Sequence, residues 1–201
     1  MDEKDTLKAY RDKRQLDKTP EPSGELAKNH DEPIFVVQKH DASNLHYDLR
    51  IESEGVLKSW AVPKGPSMDP SVKRLAVPTE DHPMAYADFE GVIPEGHYGA
   101  GTVILWDRGV YENLKENSSF ADNLKQGHVT IRLKGEKLVG GFALLRTGGG
   151  EKPRWLFFKM KDEDAKPGSD ILKEHPYSVK TGRSLEEVAE QEEPADLKDF
   201  S

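Results

Sequence analysis

The run His40-Asp41-Ala42-Ser43-Asn44-Leu45-His46-Tyr47-Asp48-Leu49-Arg50 has turn chemistry at its centre and strand chemistry on either side. Asp, Ser and Asn favour tight turns because their short polar side chains bond to nearby backbone. A β-hairpin follows. On its second strand His46, Asp48 and Arg50 alternate with Leu45, Tyr47, Leu49 and Ile51, and a period of two sends the two sets to opposite faces. If residues 41 to 45 form the loop, His40 lies opposite His46 and shares its face. Two imidazoles and a carboxylate then converge, a set of donors suited to a divalent first-row metal with positions left for water and substrate. Mixed nitrogen and oxygen donors favour Mn²⁺ or Zn²⁺ over Mg²⁺. Arg50 carries a planar fork that suits a phosphate.

Outward from this hairpin the chain keeps the same texture. Short runs rich in β-branched and aromatic residues, separated by Gly, Pro, Asn or Asp, fall at 34–40, 45–52, 56–62, 73–78, 101–106, 128–133, 137–146 and 154–160. Eight strands suffice to close a barrel. The expected fold is mainly β, a small closed or nearly closed β-barrel with an N-terminal helical arm and a C-terminal helix. Helix is expected over 1–18, with a turn at 112–116, a short helix at 118–124 and a marginal helix at 185–193, where Ser184 and Glu187 have the spacing of a capping box. The prolines of Thr19-Pro20-Glu21-Pro22-Ser23-Gly24 end the first helix. Three parts are expected: an arm over 1–29, a barrel over 30–177 and an acidic tail over 178–201. Trp60, Trp106, Trp155, Phe142, Phe157 and Phe158 are assigned to the core.

Of 201 residues, 35% are hydrophobic and 33% charged, and the 178–201 stretch carries half of the net charge of −8. A broad basic surface that coats nucleic acid is excluded, whereas a pocket for one terminal phosphate is not. With no cysteine, neither a disulfide nor a thiolate metal site can form. No apolar window approaches a membrane span, so a cytoplasmic protein without membrane contact is expected.

Further candidates lie beyond the hairpin. Lys64 sits in a Pro/Gly turn, and Lys73-Arg74 opens the next strand; each is read either as a phosphate contact or as a solvated charge. His82, in Thr79-Glu80-Asp81-His82-Pro83, is read as a phosphate ligand, a general acid, or a histidine bonded only within its turn. Glu90-Gly91-Val92-Ile93-Pro94-Glu95-Gly96-His97-Tyr98-Gly99-Ala100-Gly101 matches no phosphate loop or dinucleotide fingerprint, and its glycines are read as turn residues. His30, His128 and His175 have no partner cluster.

Taken in order, QKHDASNLHYDLR, SWAVPKGPS, KRLAV, EDHP and FEGVIPEGHYGAGTV resemble the phosphoesterase module of bacterial DNA ligase D and its stand-alone archaeal and bacterial relatives. The resemblance runs from Thr19 to Lys159. It implies a prokaryotic β-barrel enzyme of end-joining repair that removes 3′-phosphates, and a 3′-terminal ribonucleotide, from DNA or DNA/RNA primer strands. By motif match His40, His46 and Asp48 are its Mn²⁺ ligands, with Zn²⁺ or Co²⁺ as substitutes. His82, Arg50, Lys64, Arg74 and Glu80 form the catalytic group, and Arg14, Glu21 and Tyr86 the substrate contacts; Glu21 rests on the resemblance alone. One departure is Gln15, where the family commonly has Asp, which favours phosphate removal over ribonucleotide trimming. The chain lacks the Lys-x-Asp-Gly motif of an adenylating ligase, so a separate DNA ligase and polymerase are the expected partners of a monomer. The alternatives are a non-catalytic 3′-end recognition module and a sugar- or nucleotide-binding barrel.

Overall fold

In the computed structural model, which describes residues 5–25, 31–148 and 150–192, the hairpin is formed by β1 (Ile34–Asp41) and β2 (Leu45–Ser53). His40 pairs with His46, and Asp41 also pairs with Leu45, so the loop shortens to residues 42–44. The chain continues through β3 (Val56–Val62), β4 (Arg74–Pro83), a short β5 (Gly91–Ile93), β6 (Gly101–Asn113), β7 (His128–Gly135), β8 (Val139–Thr147) and β9 (Arg154–Lys159). The hydrogen-bonded order is β1-β2-β3-β4-β9-β8-β7-β6, and β6 returns to β1. Eight antiparallel strands therefore close a barrel, as expected, with β5 added to the outer edge of β6. A bulge between Val37 and Gln38 leaves Trp106 without an opposite residue, and the extra residue bends the wall where the barrel closes.

Alternation decides what fills the interior. Phe35, Val37, Tyr47, Leu49, Ile51, Trp60, Trp106, Phe142, Phe157 and Trp155 all point inward and are buried. Phe158 differs from its expected place in the core: its parity turns it outward, where it is half-buried beneath the Lys73 ammonium. Strand β6 runs past the expected end at residue 106, because pairing with both β1 and β7 carries it to Asn113. Helix α2 (Phe120–Gln126) lies close to its expected range and brings Phe120 into the core.

The polar side of β2 faces away from this core. A second, outer cluster of Leu7, Tyr10, Leu57, Met84, Tyr86, Phe89 and Ile93 packs there. It comes from the arm, from β3, and from a 3₁₀ turn (Met84–Asp88) with the β5 that follows it. The arm is less helical than expected. Helix α1 covers only Lys8–Asp12, and residues 1–4 of the expected 1–18 helix lie outside the described residues. Beyond Asp12 the run offers too few apolar residues to hold a continuous helix. Instead the arm folds back, with the Tyr10 hydroxyl donating to the Pro22 carbonyl at 2.7 Å and Arg11 to Gly24 at 2.6 Å.

At the other end a four-residue helix, α3 (Ile171–Glu174), seats Ile171 in the core. Helix α4 (Leu185–Gln191) has the expected capping box and buries Leu185 and Val188 against Ile104. The Val179 N–H donates to Leu105, and Arg183 pairs with the buried Glu90 carboxylate. The stretch 178–192 is thus strapped to β6, while residues 193–201 lie outside the described residues. Among the described residues no helix is long and apolar enough to cross a membrane.

Candidate metal and phosphate site

His40, His46 and Asp48 meet on the outer face of the hairpin, one potential ligand atom from each lying within 4.8 Å of the others. Their hydrogen bonds settle which ring nitrogens are free. His40 Nε2 lies 2.7 Å from the Gly99 carbonyl oxygen, and since that oxygen only accepts, the ring proton sits on Nε2. His46 places Nδ1 2.9 Å from the Asn44 carbonyl by the same logic. The other ring nitrogens, His40 Nδ1 and His46 Nε2, both face Asp48 Oδ2, at 3.6 and 3.4 Å. Ligands at bond lengths of about 2.0–2.2 Å stand roughly 3–3.5 Å apart, which the two histidine–Asp48 separations approach, while the trio as a whole, within 4.8 Å, needs a small contraction to hold one cation. Backbone carbonyls that fix histidine tautomers are the usual supports of metal-ligating imidazoles. Gly99 turns its carbonyl toward His40 from a φ of +75°, a conformation that other residues rarely adopt.

Charge matches this geometry. Burial alone would push the Asp48 carboxyl up, but Arg50 and the two histidines hold it well below the usual carboxylate range. Asp48 in turn raises the pKa of His46.

Beside the trio lies a dense cationic network. Arg50 donates from Nε to Gln38 at 2.7 Å and from Nη1 to Ser59 at 3.0 Å, and its Nη2 is 3.5 Å from Asp48. Gln38 is itself anchored by the Tyr86 and Phe89 carbonyls, so the guanidinium is held in one plane. Arg14 reaches in from the arm. It pairs with Glu21 at 2.9 Å and Glu80 at 3.0 Å and stacks 4.1 Å from the Tyr10 ring centre. Glu21 also accepts from the Tyr86 hydroxyl at 3.0 Å. Burial pushes the Glu80 carboxyl up, yet its backbone bond, Arg14 and Lys13 outweigh that and keep it ionised.

His82 stands between the two arginines, 3% exposed, with Arg50 Nη1 at 3.1 Å from Nδ1 and Arg14 Nη2 at 3.2 Å from Nε2. Burial, then Arg50 and Arg14, force its pKa well below 6.5, so the ring is neutral. Nδ1 also lies 2.9 Å from the Glu80 carbonyl oxygen, which only accepts, so the ring proton sits on Nδ1 and Nε2 accepts from Arg14. An oxyanion arriving between the arginines would meet charged N–H donors on both sides.

These groups surround a cavity of about 280 Å³ lined by Arg14, His40, His46, Asp48, Arg50, Thr79, Glu80, His82, Tyr86 and Tyr98. Most of the residues named from sequence gather here. Glu21 does not line the cavity: its side chain is 0% exposed, behind Arg14 and Tyr86. Lys64 is exposed in the turn after β3, and Arg74 opens β4; neither lines the cavity. Arg74 Nε is buried and has no hydrogen-bond partner. His97 also stands outside it, and His128 and His175 are exposed, while His30 lies outside the described residues. Tyr98, Gly99, Ser59 and Gln38 were missed. Only the Gly-rich spacing around Tyr98 and Gly99 hinted at a loop that approaches other backbone closely.

Residues 38–146 match the family described as the DNA Ligase D 3′-phosphoesterase domain. The chain belongs to that family. Similar full-length proteins include the multifunctional non-homologous end joining protein LigD of Pseudomonas aeruginosa, 51% identical over 184 residues. Those residues make up 89% of this chain and 22% of that protein. LigD of Mycobacterium tuberculosis, a multifunctional non-homologous end joining DNA repair protein, is 46% identical over 79% of this chain and 20% of its own length. LigD of Mycolicibacterium smegmatis is 45% identical over 81% and 22%. The chain thus spans about a fifth of the length of the curated relatives it matches. Within the phosphoesterase family match lie the metal trio, Arg50, His82 and Tyr86, whereas Arg14 and Glu21 precede it.

Proposed function

We propose that the chain removes terminal phosphates from the 3′ ends of DNA or DNA/RNA strands, preparing them for end joining. The observation that carries this reading is the convergence of two imidazole nitrogens and an ionised carboxylate beside two arginines and a neutral histidine. His40, His46 and Asp48 would hold a divalent cation; their mixed donors suit manganese or zinc better than magnesium, and the family resemblance favours manganese. Bound there, such a cation supplies Lewis-acid polarisation of a phosphate oxygen and lowers the pKa of a water.

The chain's own residues do the rest. Arg14 and Arg50, both pre-oriented by buried partners, grip the non-bridging oxygens and stabilise charge that develops in the transition state. His82 enters neutral and offers a ring nitrogen as acceptor, so it orients the phosphate or takes a proton, and it is not a charged acid at pH 7. Glu21 and Glu80 act by holding Arg14. Tyr86 packs edge-on against His82, with ring centres 4.7 Å apart, and under the Arg50 guanidinium. Lys64 and Arg74, implied by the family resemblance, stand outside the cavity, so their role falls on nucleotides further along the strand. Gln15 is exposed and outside the cavity, and its departure from the Asp common in the family is what keeps ribonucleotide trimming secondary. Sealing and synthesis fall to separate ligase and polymerase activities.

The test is release of inorganic phosphate from a primer bearing a 3′-phosphate. Release with Mn²⁺ and none with chelator is expected; tight binding of the primer without release under any divalent metal would instead make the chain an end-recognition module.

A further inference from the structure

Beyond the cavity, the outer face of the barrel wall carries an unusual combination of side chains. Because Ala76, Phe142, Leu144, Trp155 and Phe157 point into the core, their neighbours on β4, β8 and β9 point outward. Leu75 and Val77 are 40% and 37% exposed there. Leu156 pairs with Leu75 on one side and with Leu145 on the other, which makes the apolar strip continuous across three strands. Lys73, just before β4, and Arg154, at the start of β9, stand exposed at its two ends. In a chain with 37 acidic residues, no outward position of β7, β8, β9 or of β4 as far as Thr79 holds a carboxylate.

This face runs straight into the site. Thr79 follows Leu75 and Val77 on the same strand and lines the cavity, as does Ala61, which pairs with Val77. From Thr79 back to Lys73 is about 20 Å at roughly 3.3 Å per residue, the axial length of about six base pairs.

We propose that this face is the track for the nucleic-acid strand behind its 3′ end. Sugars rest on Leu75, Val77 and Leu156, and phosphates meet Lys73 and Arg154. The track rests on reading the cavity as a 3′-end site. Its chemistry is complementary in both respects: a polyanion is drawn to a surface without acids, while the acidic remainder of the chain repels it.

Binding of a fluorescently labelled 12-nucleotide strand with a 3′-hydroxyl, measured by anisotropy in chelator, tests the track without requiring turnover. In Lys73→Gln/Arg154→Gln the slope of log affinity against log salt should fall by about 1.4, since each phosphate contact contributes about 0.7 for single strands. A dinucleotide bearing a 3′-phosphate, which ends in the cavity, should bind the wild type and this variant alike. If the pair does not fold, Lys73→Gln alone should show half the change. An unchanged slope, including the case in which the face docks a protein, would overturn the track. So would an equal loss in the control pair Arg108→Gln/Lys173→Gln, elsewhere on the surface. Failure of the phosphoesterase reading would appear separately, as strand binding without phosphate release.

Discussion

Each histidine of the trio commits one ring nitrogen to a backbone carbonyl, Gly99 for His40 and Asn44 for His46, and leaves the other facing Asp48. The same logic of fixed orientation governs Arg14, which Glu21 and Glu80 hold from opposite sides. Removing one partner of a buried ion pair costs about 3–5 kcal/mol, and here Glu80 retains a hold. Glu21→Gln should therefore destabilise the fold by about 2–3 kcal/mol in urea unfolding and also weaken binding of 3′-phosphorylated strands. A loss of binding with no loss of stability would place Glu21 in direct contact with substrate. His82 gives a pH signature. Its native pKa lies below the unfolded value of 6.5, so the unfolded chain takes up a proton that the folded chain refuses, and stability falls as pH drops below about 6.5. The limiting slope is about 1.4 kcal/mol per pH unit. Metal-free wild type should lose more stability between pH 7 and pH 5.5 than His82→Gln, as measured by urea midpoints, and equal losses would contradict a neutral, desolvated ring.

At the scale of elements, the strap over 178–192 joins an acidic sequence to β6 through few contacts. Ser184 caps α4 reciprocally with Glu187, and such caps contribute about 1 kcal/mol. Ser184→Ala should speed hydrogen exchange of the α4 amides roughly fivefold or more while leaving β1 and β2 unchanged. Acceleration of the barrel strands as well would show that the strap and barrel unfold together. The barrel strands were legible in the sequence because inward residues such as Leu49, Trp60 and Phe157 recur with a period of two. The hairpin made the trio legible for the same reason. Strand β5 was not: three residues carry too little pattern, and Gly91–Ile93 is a strand because β6 offers it an edge. Glu21 came only through family resemblance, since nothing local says that a glutamate between prolines will be buried beneath an arginine. Tyr98 was read as part of a glycine-rich turn, yet at 47% exposure it flanks the cavity and sits 5.1 Å over both Lys13 and Arg14. Such contacts depend on the arm folding back over the barrel, which no window of sequence reports.

For the whole molecule, segregation of charge reconciles a net charge of −8 with the polyanionic substrate proposed above. Arg14 and Arg50 line the cavity, Lys13 stands beside it, and the outward faces of β7, β8, β9 and of β4 as far as Thr79 carry no acids. The parts of the candidate site come from different elements: the barrel supplies a rigid wall, the arm supplies Arg14, and the loop after β5 supplies the carbonyl that aims His40. The central claim is that His40, His46 and Asp48 hold one cation on which phosphate release depends. Titrating Mn²⁺ into metal-free protein while following phosphate release from a 3′-phosphorylated primer tests it directly. Release is expected to rise to a plateau near one equivalent of tightly bound metal in the wild type and to stay at least about 100-fold lower in His46→Ala. Undiminished release from His46→Ala, or release by the wild type in chelator, would contradict it.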